Sequence, residues 1–441
     1  MGGIIGRGFP VSRLASERLE KQMIFGRHFR NAGSGSVVLL GIIATAAAII
    51  LSVNVFGWDT TWHAFGVTPL QPPFYDMHVI NDYAACVQKG VDAYAPKACS
   101  SANFNIPPAW LWIGSIGIKG SDSAWLSAVI ITAAATIMVL LFKGRTWSHG
   151  AVALVALISP SVLMGVERAN LDLLILALVG SAALIYDEKS MRRVCGAAAL
   201  ICSGIVLKII PVFCVSLIIR RSRQTLLFAG IVTAFSVFYF YEILDYLLLV
   251  RRNVPSTFVL SYGFKSAFMG IDHLRGWAGL SPIRLEETWA PALTAAGVLI
   301  AAGALALHSS GRNGSFAISV SPAGTAFLFG AGIYCGTYVL GTNFIYRLMF
   351  LLLCIPQLQD WQTRWRNGAQ SNGNPELGLY AIVVGVLWLN GNANGHSVSA
   401  FIVLPQVLNW ILFFAMSYVL MAVFLRNWRV AAKDVRDQPE R

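Results

Sequence analysis

Apolar residues gather in blocks along this chain, and polar residues fall in the gaps between them. Blocks near the length of a bilayer crossing run at about 37–56, 123–142, 150–166, 170–186, 224–248, 290–307, 324–341, 344–358, 376–394 and 403–425. A crossing helix needs about 20 apolar residues for a hydrocarbon core of about 30 Å, and only helices or closed barrels satisfy their own backbone there. The residue-by-residue alternation of a barrel is absent. The expected fold class is therefore an all-α polytopic membrane protein.

Two stretches break the simple pattern. Residues 194–219 carry basic clusters at both ends, Arg192 with Arg193 and Arg220 with Arg221 and Arg223, so a single crossing would strand one cluster on the wrong side. Lys208 and Pro211 interrupt its middle. The pattern predicts a hairpin whose arms of about 12 to 14 residues reach about 20 Å at 1.5 Å per residue, leaving the apex in a cavity below the outer surface. Counting the hairpin as two gives about twelve crossings. The segment Pro107 to Ile118 is apolar and Trp-rich but too short to span, and predicts an interfacial or re-entrant helix with Trp110 and Trp112 at the headgroup level. No internal repeat is visible, which weighs against a transporter built from inverted halves.

Composition agrees: 56% of the 441 residues are hydrophobic, 12% are charged, and the mean hydropathy is +0.63. The net charge of +12 sits in tails and short loops, as an orientation signal does, rather than in a nucleic-acid surface. Arg7, Arg13, Arg18, Lys21, Arg27 and Arg30 face only Glu17 and Glu20, which assigns the tail 1–36 to the cytoplasm. The segment 57–122 is then extracytoplasmic, 37–425 forms a single membrane domain, and 426–441 returns to the cytoplasm as a second tail. The first apolar block has no small-residue cleavage site after it and is expected to remain as an anchor. Cys195, Cys202, Cys214, Cys335 and Cys354 fall in apolar spans as small packing residues. Cys86 and Cys99 lie in the segment assigned to the oxidising side, as a disulfide or as two free thiols.

Ionisable groups are scarce in such a chain, and those held at a membrane surface are disproportionately functional. Asp76, His78 and Asp82 stand in the first outer segment. The two aspartates are six apart and would not share a helix face, so Asp76 is the first candidate for a base and Asp82 the alternative, with His78 a possible substrate partner. Glu167, Arg168, Asn170 and Asp172 mark a tight connection between two helices: Asn170 can cap, Asp172 can favour the helix dipole, and Arg168 can meet an anion with Glu167 positioning it. Lys208 at the hairpin apex has no use there unless it snorkels or meets an anion. Arg251, Arg252, Lys265 and Arg347 add outer cations suited to phosphate, with headgroup contact an equal reading for the first two. Glu242 and Asp245 complete the outer polar set. Walker, dinucleotide and HExxH signatures are absent and the histidines are scattered, so neither a metal site nor a cofactor is expected.

These residues carry a resemblance. The outer segment Asp76-Met-His-Val-Ile with Ala84-Ala85 and Gly90-Val-Asp-Ala-Tyr94, then Ile106-Pro107-Pro108, then Glu167-Arg-Ala-Asn-Leu-Asp172, Leu207-Lys208-Ile-Ile-Pro211 and Asn343-Phe-Ile-Tyr-Arg347, resembles membrane glycosyltransferases of the GT-C fold. More narrowly it is similar to glycosyltransferase family 87, which includes polyprenyl-phosphate-mannose-dependent mannosyltransferases acting on phosphatidylinositol mannosides. The resemblance implies a bacterial plasma-membrane enzyme of the cell envelope that moves a sugar, mannose or another hexose or pentose, from a polyprenyl phosphate to a glycolipid or glycan acceptor, inverting and independent of metal. It implies Asp76 as base and Lys208, Arg168 and Arg347 around the donor phosphate. The family motif commonly has Gly at the position of Ala169. A transporter or flippase of a lipid-linked saccharide is the alternative reading; it needs the cations but no base.

Overall fold

The computed structural model describes residues 33–254, 258, 260–309, 316–366, 375–390 and 400–436. The basic residues Arg7 to Arg30, Arg312 and the chain end beyond 436 lie outside the described residues. The fold is helical, with a single two-stranded ladder among the described residues. Among the described residues, five helices are long and apolar enough to cross a membrane: Ser34–Phe56, Gly120–Phe142, Arg223–Glu242, Ala290–Ser309 and Val403–Arg429. The bent pair Trp147–Leu157 and Pro160–Arg168 makes a sixth if it is one span. The protein is thus a helical membrane-embedded protein.

The remaining apolar blocks fold into shorter pieces, for local reasons. The block at 150–166 bends by 60° at Ser159, because Pro160 cannot donate a backbone hydrogen bond and its ring crowds the preceding turn. The block at 170–186 yields the 14-residue helix Asp172–Ile185. The expected hairpin breaks at Lys208, whose φ of −162° and ψ of 128° end the helix Met191–Leu207. Its second arm, Ile210–Arg220, is a 3₁₀ helix of 11 residues. At about 2.0 Å per residue a 3₁₀ helix reaches further than an α-helix of equal length, so the short arm extends about as far as a longer α-helical one. The expected block 344–358 starts with a second 3₁₀ helix, Ile345–Cys354, and continues as Ile355–Arg366.

Between these two 3₁₀ helices lies Pro322–Val339, buried along most of its length. Close approach needs small residues there: a Cβ on Gly336 would lie 2.2 Å from the Phe213 ring, and one on Gly330 would lie 2.6 Å from the Phe350 carbonyl oxygen. The consequence for function is positional. Lys208 lies two residues before one 3₁₀ helix and Arg347 lies in the first turn of the other, so packing around a single buried helix fixes both cations. The short antiparallel ladder pairs Ser261 with Phe344 and Tyr262 with Asn343, which anchors the entry to the Arg347 helix.

The segment 57–122, expected to lie outside, is a folded layer rather than an open loop. It contains the helices Trp58–Ala64 and Tyr75–Val87 and the 3₁₀ helix Pro108–Ile116. The helix Tyr75–Val87 buries Met77, Ile80, Asn81, Tyr83 and Ala84. Of the two tryptophans expected at the headgroup level, Trp112 is exposed, whereas Trp110 is buried and its indole N–H donates to the Leu207 carbonyl at 2.9 Å. Packing against the end of Met191–Leu207 gives Trp110 a protein partner for its N–H, so it turns inward. Cys86 and Cys99 are joined in a disulfide, with Cα atoms 5.9 Å apart. Of the other cysteines, Cys214 and Cys354 are buried, Cys202 and Cys335 are half-buried, and Cys195 is exposed, so the packing role expected for all five does not extend to Cys195.

Candidate functional site

The site is assembled around Asn170. The helix Pro160–Arg168 ends at Ala169, which takes the left-handed conformation (φ 47°, ψ 48°) that glycine adopts without strain, and the Asn170 N–H closes the turn on the Gly165 carbonyl at 2.9 Å. This tight reversal leaves Asn170 between two helices. Its Oδ1 accepts from the Asp172 backbone N–H at 2.9 Å and from Lys208 Nζ at 3.2 Å, while its Nδ2 donates to Asp76 Oδ2 at 2.5 Å. Only one orientation of the amide sets oxygen against the donors and nitrogen against the carboxylate. The capping role and the site role of Asn170 are therefore held by one side chain.

Asp172 is fully buried and does more than open a helix. Its Oδ1 lies 2.8 Å from Lys208 Nζ and its Oδ2 lies 3.4 Å from Arg347 Nε. An isolated carboxylate would be costly there, and two cations offset that cost. Arg347 also donates through Nη1 to Asn343 Oδ1. Arg168 is held differently: its Nε is 3.9 Å from Glu167 Oε2, and its guanidinium lies 5.8 Å from the Phe344 ring and 5.9 Å from the Tyr346 ring. Among the described residues the Nε of Arg168 and that of Arg347 have no hydrogen-bond partner. Glu167 faces the other way, accepting the Leu70 N–H at 2.9 Å and the Trp58 indole N–H at 3.3 Å on Oε1.

These groups border a cavity of about 200 Å³, whose lining includes Asp76, Arg168, Asn170, Lys208, Asn343 and Arg347. Asp76 is half-buried in its wall, in the first turn of Tyr75–Val87, where the helix dipole favours a carboxylate. Burial pushes the Asp76 carboxyl above the ordinary value of 3.8, against the opposing pull of Arg168, the Asn170 hydrogen bond and Lys208. A second cavity of about 350 Å³, lined almost wholly by apolar side chains such as Ile49, Val53, Phe74, Met138 and Leu163, lies on the far side of Trp58. Trp58 lines the apolar cavity and Leu70 lines the polar one, and both donate to the same Glu167 oxygen. That carboxylate thus links one residue of each lining.

Not every residue singled out in the sequence reaches the cavity. Asp82 and His78 do not line it; they sit one helical turn apart and face Gly120, where an added Cβ would lie 2.7 Å from Asp82 Oδ1 and 3.7 Å from His78 Nδ1. Burial raises the Asp82 carboxyl, with His78 opposing. Glu242, Asp245, Arg251 and Lys265 are also absent from the lining, and the Arg252 side chain lies outside the described residues. Conversely, Asn343, Phe344 and Tyr346 belong to the site although the sequence marked only Arg347 in that motif. Asp172 was legible as a helix opener but not as the counter-ion of two cations. Among the described residues no group of three or more His, Cys, Asp or Glu side chains could hold a metal ion. Comparison with protein-family models, with curated proteins and with solved structures gave no match.

Proposed function

We propose that the protein is a membrane glycosyltransferase that moves a sugar from a polyprenyl-phosphate donor to a hydroxyl of a glycolipid or glycan acceptor, with inversion. The observation that carries the reading is one half-buried carboxylate, Asp76, facing the same cavity as Arg168, Lys208 and Arg347. A single displacement requires one base, unlike the paired carboxylates of a hydrolase. In the proposed step the Asp76 carboxylate takes the acceptor O–H proton and the acceptor oxygen bonds to the anomeric carbon. The bond from that carbon to the phosphate oxygen breaks, and its electron pair leaves with the polyprenyl phosphate.

Charge bookkeeping supports this. Arg168, Lys208 and Arg347 contribute three positive charges and Asp76, Glu167 and Asp172 three negative ones when all are ionised. Proton transfer to Asp76 removes one negative charge from the site as the leaving phosphate gains one, so the cations meet the growing charge without a change in the total. Fixed cations aimed at developing charge are among the strongest catalytic devices. A raised carboxyl pKa also makes Asp76 a better proton acceptor. The apolar cavity beyond Trp58 suits a prenyl tail, and its lining residues Phe74 and Val166 are close chain neighbours of Asp76 and Arg168 in the polar one. We place the site on the outer side of a bacterial plasma membrane, with both termini in the cytoplasm and about twelve crossings, from the distribution of basic loops.

The test is transfer of radiolabelled sugar from a polyprenyl-phosphate donor to acceptor lipids by the purified full chain and by Asp76→Asn. The substitution is expected to lower transfer by about a thousandfold, as for loss of a general base. Transfer retained in Asp76→Asn removes Asp76 as the base. A chain that moves lipid-linked saccharide across vesicles without transferring the sugar is a flippase instead.

A further inference from the structure

The cavity has two walls of unlike chemistry. One holds Arg168, Lys208 and Arg347; the other is the strip from Cys99 to Pro107, which carries no charged residue. That strip is fastened almost residue by residue. Cys99 is bonded to Cys86 at the end of the Asp76 helix, Ser101 Oγ lies 2.7 Å from the Tyr75 hydroxyl, and the Ala102 carbonyl accepts from Tyr83 Oη at 2.7 Å. Asn103 Oδ1 accepts from the Lys97 N–H at 3.0 Å, the Phe104 carbonyl accepts from Asn253 Nδ2 at 3.0 Å, and the Ile106 carbonyl accepts from Tyr94 Oη at 3.1 Å. Phe104 is also packed between the rings of Tyr83 and Tyr94.

Asn105 stands apart in this strip. Its side chain is half-buried, borders the cavity and makes no hydrogen bond among the described residues. Asn103 also borders the cavity but is fixed by Lys97, so a strip fastened in this way that leaves the Asn105 amide alone without a hydrogen bond there is a preorganised recognition element. An amide offers a donor pair and an acceptor without charge, which matches vicinal hydroxyls and gives no advantage to phosphate. The Asp76 helix and the strip are joined at Tyr75 and at the disulfide, so a group held by Asn105 is also held in register with Asp76. Resting on the glycosyltransferase reading, we infer that Asn105 is a specificity-determining residue that binds the neutral, polyhydroxylated head of the acceptor, a sugar or cyclitol, and orients the hydroxyl that Asp76 deprotonates.

The test uses the full chain in detergent with a radiolabelled polyprenyl-phosphate mannose donor and two competing acceptors, an alkyl mannoside and water. Asn105→Ala is expected to lower kcat/KM for the alkyl mannoside about tenfold, as for loss of one or two neutral hydrogen bonds, through a higher acceptor KM. The donor KM and the slow hydrolysis of donor by water should stay unchanged. Asn105→Ser, which keeps a hydrogen-bonding group, should recover part of the loss. Equal falls in transfer and hydrolysis, or a raised donor KM, overturn the inference. So does a wild-type chain that hydrolyses the donor but glycosylates no alkyl mannoside. A wild-type chain that leaves the donor intact towards both acceptors overturns the glycosyltransferase reading itself.

Discussion

The two ends of the helix Ser123–Phe142, about 30 Å apart at 1.5 Å per residue, each carry a cluster of paired charges, and the clusters are built to different ends. Beyond Phe142, Arg145 grips Asp360 through two parallel bonds of 2.7 and 3.1 Å, and the Arg145 backbone N–H is itself held by Ser34 Oγ at 3.0 Å. The pair closes on itself and ties three segments together. At the Ser123 end, Asn81 in the Asp76 helix donates to Ser123 Oγ at 2.9 Å, and the charges of the neighbouring cavity are incompletely matched. Among the described residues Arg168 reaches its nearest carboxylate only at 3.9 Å and its Nε makes no hydrogen bond, while Arg347 Nε meets Asp172 Oδ2 only as a 3.4 Å ion pair. Arg–carboxylate geometry that is already saturated serves cohesion. Cations left with spare donors around a cavity are available to a ligand.

This contrast breaks most sharply at Lys208. After the loss expected from Asp76→Asn, the next largest effect should come from Lys208→Met, which leaves the buried Asp172 with Arg347 as its only cation among the described residues. Breaking a buried pair costs about 3–5 kcal/mol, so thermal unfolding in detergent should shift strongly downward. Adding Asp172→Asn should restore much of that stability. Sugar transfer should stay about a hundredfold below wild type in both, because the phosphate cation is still missing. Recovery of transfer together with stability would make Lys208 a structural counter-ion like Arg145.

The pH response separates the two ends next. Asp76 must be ionised to act as a base, and its folded pKa lies above 3.8 because of burial. Transfer should therefore fall as pH drops through that raised value, and the acidic limb should lie above the range of a solvated aspartate. Stability runs the other way: between the unfolded and folded values the native state binds more protons, so unfolding free energy falls as pH rises through that window. Asp76→Asn should abolish this contribution. Opposed acid limbs for rate and for stability, compared between wild type and variant, are the measurement.

The smallest effect is expected at the closed pair. Asp360 is 38% exposed, so Asp360→Asn should cost about 1 kcal/mol or less. Transfer and donor KM should be unchanged, as read by unfolding and activity on one preparation. A large loss of transfer from Asp360→Asn would erase the distinction between the clusters.

Much of this was legible in the chain, and the reasons for the rest are physical. Helix-length apolar blocks announce themselves because a bilayer fixes how many residues must be apolar, and Lys208, Pro211 and the basic clusters mark where a block returns, whereas the bend before Pro160 in the block 150–166 was not foreseen. Asp76 and Asp82 could be assigned to different faces from the 3.6-residue period, which is a local property. Which face meets the cavity was not local. Nor was the choice of Asn170 as the contact of Asp76, 94 residues earlier, or of Asp172 as the partner of both Lys208 and Arg347. The sequence by itself determined the apolar blocks, the scarcity of charge and the residues able to act. Only the tertiary structure decided which of them meet, because the cavity exists where the Asp76 helix, the turn at Asn170, the break at Lys208, the start of the Arg347 helix and a disulfide-tied strip come together, and no periodicity along a single chain encodes that meeting.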